Sequence, residues 1–139
     1  MAVSNCIAAN KRNLVIGLDL EWSIYDGTNS ITRLLQMSLP VEKTALINLS
    51  LIKAFSEEDF LRNLKLLLEN KKFICVGRQI GGDAKRLSRL GVDISNYKEL
   101  RTLALQHNPE IRHNGGTSLC NSCRAYLHLN FLKTHKISD

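Results

Sequence analysis

Residues 14–22 read LVIGLDLEW, a short aliphatic run that carries two acids, Asp19 and Glu21. A run this short and this rich in aliphatic side chains predicts a strand buried in a sheet. Side chains alternate along a strand, so two acids two residues apart point to the same face. Neighbouring carboxylates repel each other unless a positive charge lies between them, and Mg²⁺ prefers oxygen ligands of this kind. The segment therefore predicts half of a metal site.

Length and composition indicate one globular domain. The chain has 139 residues, of which 44% are hydrophobic, and only two prolines, which is enough for a single core. No apolar run is long enough to span a bilayer, and the N-terminus lacks the order of a secretory signal. We expect an intracellular protein, nuclear or cytoplasmic and not secreted, with no membrane partner and with reduced cysteines. The net charge of +6 suits a polyanion such as nucleic acid.

Strands and helices alternate along the rest of the chain, as judged from the spacing of apolar residues and from capping and stop signals. The predicted elements are strands at residues 31–39 and 43–49, a helix that opens at Ser56, a strand at 73–77, a helix that ends at Gly91, and helices at 97–107 and 117–127. This order indicates an α/β fold with a mixed sheet.

A third acid, Asp83, lies in the segment VGRQIGGDAKRL at residues 76–87. Here a buried strand gives way to a helix, and α/β folds place ligand sites at such points. Taken alone, Asp83 is explained more simply by a role at the helix start. Together with Asp19 and Glu21, it predicts a cluster of carboxylates for two metal ions. Such clusters activate a water and stabilise the leaving oxygen in phosphodiester cleavage.

Three segments together resemble a known family: IGLDLEW at residues 16–22, LLQMS at 34–38 and VGRQIGGDAKRL at 76–87. Their order and spacing are similar to those of the DEDD superfamily of 3′–5′ exonucleases, and within it to the ribonuclease D and Werner-type branch. The resemblance implies a ribonuclease H-like fold, a mixed sheet flanked by helices, over residues 14–139. Residues 1–13 are then an N-terminal extension.

The resemblance implies an activity and assigns residues to it. It implies release of nucleotides from the 3′ end of single-stranded RNA or DNA, with Asp19, Glu21 and Asp83 as catalytic residues that bind two Mg²⁺ or Mn²⁺ ions. In this family the residues that flank the first acid pair, here Leu20 and Trp22, help to hold the terminal base. In a regular strand both would point away from the acids, and a place in the core explains Trp22 equally well.

Basic residues lie near Asp83 in the sequence. Arg78 precedes it, and Lys85 and Arg86 follow it. These side chains form either an ordinary solvated helix face or a surface that contacts the phosphates of an incoming strand. Contacts of the second kind are independent of base sequence and sensitive to salt. Under that alternative, Arg78, Lys85 and Arg86 are nucleic-acid-binding residues.

Cys120 and Cys123 form a CxxC pair, and the chain has no second pair of this kind. Structural zinc sites usually need four ligands with paired spacing. The pair also does not follow a strand, as the thioredoxin-like redox motif does. On a helix, both thiols share one face with Leu119, Tyr126 and Leu127, so we predict that they pack in the core.

The resemblance stops short of the family's third motif, a Tyr or His followed by a fourth metal-binding Asp. Asp139 matches a residue that precedes this motif, so we expect the exonuclease domain to be incomplete at its C-terminus. The missing groups help to position the attacking water. Two classes of function stay open. One is a metal-dependent 3′–5′ exonuclease, and the other is a catalytically inactive nuclease-like domain that binds nucleic acid or a protein partner.

Overall fold

The computed structural model describes residues 14–24, 30–39, 43–49, 57–112 and 116–129. The predicted N-terminal extension at residues 1–13, the predicted N-cap Ser56 and the terminal Asp139 lie outside the described residues. The chain divides between Glu99 and Leu100 into two compact units. In the described residues of both units, no helix is long and apolar enough to cross a membrane.

A five-stranded mixed sheet forms the base of the first unit, with the strands in the order β3-β2-β1-β4-β5. The strands are β1 (Leu14–Ile24), β2 (Ser30–Leu39), β3 (Lys43–Asn48), β4 (Phe73–Gly77) and β5 (Tyr97–Glu99). β1 pairs antiparallel with β2 and parallel with β4, while β2–β3 is antiparallel and β4–β5 parallel. Among the described residues, the same unit contains the helices α1 (Glu57–Leu68) and α2 (Ile80–Arg89). The predicted α/β fold with a mixed sheet is confirmed.

One continuous hydrophobic core joins the three central strands to α1 and α2. Its most buried members include Ile16, Leu18, Leu20, Leu35, Leu68, Phe73, Cys75, Ile80 and Leu87. β1 contributes alternate residues to this core, as expected of a strand with one buried face. α1 contributes its predicted apolar face, on which Leu64, Leu67 and Leu68 are buried. The core thus fixes which face of β1 is turned away from it, and that is the face of the acids.

The described part of the second unit contains helices. They are α3 (Leu100–His107), a short 3-10 helix (Pro109–Arg112) and α4 (Leu119–Leu127). Ser118 caps α4, and its hydroxyl accepts a hydrogen bond from the backbone N–H of Asn121 at 3.2 Å. The hydroxyl of Tyr126 donates to the carbonyl oxygen of Ala104 at 2.6 Å, which ties α4 to α3.

Two predictions about this part of the chain are wrong. Residues 97–107 are not one helix, because Tyr97–Glu99 pairs in parallel with β4 and forms the edge strand β5. Three residues are too few to carry a strand periodicity, so only the pairing with β4 distinguishes them. The predicted core face of α4 is not buried either: Leu119, Tyr126 and Leu127 are 44%, 41% and 60% exposed, and Cys120 and Cys123 are half-buried. Helical spacing identifies a shared face but does not provide a neighbour to cover it.

Candidate active site

The first acid pair lies on the face of β1 that is turned away from the core. Asp19 and Glu21 are exposed, whereas Leu18 and Leu20 beside them are 4% exposed. In the antiparallel pairing with β2, Asp19 lies opposite Gln36 and Glu21 opposite Leu34. The expectation that the two carboxylates share one face is therefore confirmed.

A close backbone approach brings the start of α2 against β1. Gly77, the last residue of β4, lies so near β1 that an added Cβ would come 2.3 Å from the carbonyl oxygen of Leu18. Only glycine fits at such a distance. Three residues later α2 begins, and a carboxylate oxygen of Glu99 accepts a hydrogen bond from the Ile80 N–H at 3.2 Å. These contacts fix the helix whose first turn carries Asp83.

Asp83 is a buried acid, with a relative exposure of 7%. Burial raises the pKa of its carboxyl from 3.8 to about 6, and the negative charge of Asp19 and, more weakly, that of Glu21 act in the same direction. The charge of Arg86 and a hydrogen bond from the Leu20 backbone lower the pKa in part. The structure therefore brings the third acid within electrostatic reach of the first two, although it lies some sixty residues away in sequence.

The chemistry of these acids fits a divalent cation. Asp83 Oδ2 is buried and has no hydrogen-bond partner, and such an atom is costly to keep in a folded protein. Carboxylate oxygens are the ligands that Mg²⁺ and Mn²⁺ prefer. Among the described residues, however, no group of three or more Asp, Glu, His or Cys side chains is already arranged to hold a metal ion. The chemistry of the donor set, three carboxylates of which one is buried, nevertheless fits the ion.

Trp22 lies beside the acids but not in the core. The register of β1 against β2 shifts between Glu21 and Trp22, where the pairing skips Arg33. Such a bulge interrupts the strict alternation of side chains, and Trp22 is 47% exposed. The guanidinium carbon of Arg86 lies 4.2 Å from the centroid of the Trp22 ring, a cation–π contact. Of the two explanations for Trp22, the structure therefore does not support the core.

The other predicted nucleic-acid-binding residues occupy different environments. The side chain of Leu20 packs in the core, so the prediction that it touches a nucleic acid is corrected: its side chain stabilises the fold, and its backbone hydrogen-bonds to Asp83. Lys85 is exposed on α2, and Arg78 is half-buried at the end of β4. Arg86 is half-buried against Trp22, and its Nε atom is buried without a hydrogen-bond partner.

Two residues support the site in roles that the sequence does not reveal. Glu99 reaches the N-terminus of α2 from β5, nineteen residues later in the chain. Gln79, the N-cap residue of α2, has a φ of 57°, in the left-handed region. Residues other than Gly, Asn and Asp seldom adopt this backbone conformation. Neither role follows from a local pattern, because each depends on how the strand pairing sets the entry to α2.

Comparison with known proteins identifies the family. A sequence profile described as 3′–5′ exonuclease matches residues 2–139. The chain belongs to the 3′–5′ exonuclease domain family. The DEDD-type resemblance inferred from the three sequence segments is thus confirmed. A search of curated protein sequences found no significant match.

Solved structures of exonuclease domains share this fold. The EXD2 exonuclease domain is 25% identical, with a TM-score of 0.56 over 88% of this chain and 61% of that one. The catalytic core of RRP6 from Trypanosoma brucei is 16% identical, with a TM-score of 0.71 over 99% of this chain and 34% of that one. NrnC from Brucella melitensis is 13% identical, with a TM-score of 0.64 over 96% and 61%. This chain thus spans less than two thirds of each of these three proteins, and the last two show the fold alone.

Proposed function

We propose that this chain is a metal-dependent 3′–5′ exonuclease domain that releases nucleotides from the 3′ end of RNA or DNA. Asp19, Glu21 and Asp83 are its metal ligands. The observation that carries the proposal is the state of Asp83, a buried acid with an unpartnered oxygen whose pKa the charges of Asp19 and Glu21 help to raise. A fold gains nothing from crowding three acids in this way, whereas a metal site requires it.

The acids would hold Mg²⁺ or Mn²⁺, and the bound ions would lower the pKa of a water and stabilise charge on the leaving oxygen. Asp19 and Glu21 would contribute their carboxylates from β1, and Asp83 would contribute its carboxylate from α2. Related crystals agree with this choice of metal, because structures of the EXD2 exonuclease domain were obtained after soaks in Mg with GMP and in Mn. GMP is also a nucleotide, the class of product that the proposed reaction releases.

The proposed partner is the 3′ end of a single strand. Two basic side chains of α2 support this partner: Lys85 is exposed, and Arg86 contacts Trp22. Lys85 is suited to phosphate contacts, and the exposed part of the Trp22 ring is suited to stacking on a base. Arg78 is retained as a proposed contact at the end of β4.

Cleavage of end-labelled strands tests the proposal. RNA and DNA strands labelled at the 3′ or the 5′ end are incubated with the protein in Mg²⁺, Mn²⁺ or EDTA. We expect a metal-dependent ladder that shortens from the 3′ end, at least a hundredfold slower in Asp19→Ala and Asp83→Ala, because metal positioning supplies most of the acceleration. The control variant is Asp93→Asn, because Asp93 is an exposed acid on the loop after α2. Full activity in both Ala variants would show that the site is elsewhere.

A second candidate function is supported by one observation. Within the described residues the acids are not already arranged as a metal site, which favours a nuclease-like domain that binds nucleic acid, or a protein, without cleaving it. The same experiment separates the two. Retention of an intact labelled strand by a folded protein, with no shortening in either metal, would select the binding function.

A further inference from the structure

Arg86 lies between two features of the proposed site. Its guanidinium carbon is 4.2 Å from the centroid of the Trp22 ring. It is also the cation whose charge acts on Asp83 and offsets part of the repulsion from Asp19 and Glu21. Without a metal ion, Arg86 is thus the counter-charge that serves the buried acid.

This counter-charge is held without a full set of hydrogen bonds. The Nε atom of Arg86 is buried and has no hydrogen-bond partner, and Oδ2 of Asp83 is in the same state. A charge-assisted hydrogen bond between such groups would be short and strong. Its absence at both atoms leaves Arg86 placed by the Trp22 ring and by long-range attraction. A side chain held in this way can exchange one partner for a better one at little cost.

We propose that Arg86 is a positioning residue that exchanges partners. In the metal-free protein its charge offsets that of the acids, and when a divalent cation binds it contacts the phosphate of the nucleotide instead. The inference rests on the proposed function, since it assumes that Asp19, Glu21 and Asp83 take up the cation. A divalent ion neutralises the acids and repels the guanidinium, so the two compete for the same carboxylates. A phosphate is the best remaining partner, because the planar fork of an arginine matches two phosphate oxygens.

The exchange predicts effects of opposite sign on two ligands. Removing the positive charge should strengthen cation binding, because a competitor is lost. The same change should weaken nucleotide binding, because a phosphate contact is lost. A residue that only supported the fold would weaken both. Trp22 reports on the exchange directly, because it is the only tryptophan of the chain.

The test compares Arg86→Gln with Arg62→Gln in the full chain at pH 8, where Asp83 is ionised. Arg62 is an exposed arginine of α1 that pairs with Asp59 on the surface, so its loss is a matched change of charge. Mn²⁺ binding is measured by electron paramagnetic resonance, as the loss of the signal of the free ion. Binding of adenosine 5′-monophosphate in Mg²⁺ is followed by calorimetry.

For Arg86→Gln we expect Mn²⁺ to bind about three- to tenfold more tightly and adenosine 5′-monophosphate to bind at least about tenfold more weakly. Both constants should change less than about twofold in Arg62→Gln. In the wild type, Mg²⁺ should change the emission of Trp22 as Arg86 leaves the ring, and this response should vanish in Arg86→Gln. If Arg86→Gln does not fold, Arg86→Lys replaces it, with Mn²⁺ affinity within about twofold of wild type and weaker nucleotide binding.

The outcomes that overturn the inference differ from those that overturn the proposed function. If wild type binds no Mn²⁺, the metal site and the inference fail together. If wild type binds Mn²⁺ but Arg86→Gln matches Arg62→Gln, or weakens both ligands, only the inference fails. Trp22 emission that does not respond to Mg²⁺ in a protein that binds Mg²⁺ also overturns it.

Discussion

Gly77 and the carbonyl oxygen of Leu18 approach each other so closely that a methyl group on Gly77 would lie 2.3 Å from that oxygen. The contact joins the end of β4 to the middle of β1, one residue before Asp19. It sets the point from which α2 departs, and thus where Asp83 meets the first acid pair. The absence of a side chain at Gly77 therefore permits the approach that brings the two motifs together.

Gly77→Ala should destabilise the protein by about 3 kcal/mol, because backbone atoms on both sides have to move apart. Gly82→Ala is the control. It lies in the first turn of α2, its added Cβ would meet nothing within 4 Å, and alanine should stabilise the helix by about 0.5–1 kcal/mol. Urea unfolding of both variants measures the difference. Equal stabilities would show that Gly77 and the carbonyl oxygen of Leu18 do not approach each other so closely.

Asp83 should make the metal-free protein less stable as the pH rises from about 4 to 6. Its folded pKa of about 6 exceeds the ordinary value of 3.8, so in this window the folded state binds more protons than the unfolded one. Stability therefore falls through the window and is constant above it, with a loss of about 3 kcal/mol. Urea unfolding without metal between pH 3.5 and 8 measures this loss.

Asp83→Asn should remove most of this pH dependence, whereas Asp93→Asn should leave it unchanged, because Asp93 is exposed. If the stability of the wild type and that of Asp83→Asn change in parallel with pH across this window, Asp83 is not buried as an acid of raised pKa.

Mg²⁺ should raise the melting temperature at pH 7.5, because an ion that binds only the folded state stabilises it by mass action. At a hundredfold excess over the dissociation constant, the gain is about 2.7 kcal/mol. Differential scanning fluorimetry over a Mg²⁺ titration provides the measurement. Asp19→Asn should abolish the shift, and a shift of the same size in this variant would place the ion elsewhere.

The backbone at Gln79 should be strained, and a residue that tolerates a positive φ should relieve the strain. With φ at 57°, its backbone is in a region that glycine occupies without steric cost and asparagine tolerates. We expect Gln79→Gly to stabilise the protein by about 0.5–1 kcal/mol, with Gln79→Asn in between. Unfolding in urea measures this, and Gln106→Gly, in the last turn of α3, is the contrasting variant that should destabilise. A loss of stability in Gln79→Gly would show that the glutamine side chain itself supports the entry to α2.

Much of the fold and part of the site follow from local patterns. The period of two in residues 14–22 predicts that Asp19 and Glu21 share one face of a strand, and this prediction is confirmed. The helical spacing of leucines predicts the buried face of α1 in the same way. Such predictions succeed because alternation along a strand, or the turn of a helix, relates residues that are close in the chain.

The remaining features depend on residues that are far apart in the chain. The strand β5 exists because it pairs with β4, and Glu99 then reaches α2. The bulge at Trp22 interrupts the regular strand that the sequence predicts, and the partly exposed ring of Trp22 lies beneath Arg86. The burial of Asp83 next to Asp19 depends on the approach of Gly77 to Leu18. Periodicity in the sequence determines on which face of a strand or helix a side chain lies. The distance between Asp83 and the first two acids, some sixty residues apart in the chain, is set only when strands pair and helices pack. The charge environment of the acids is therefore decided by the tertiary structure alone.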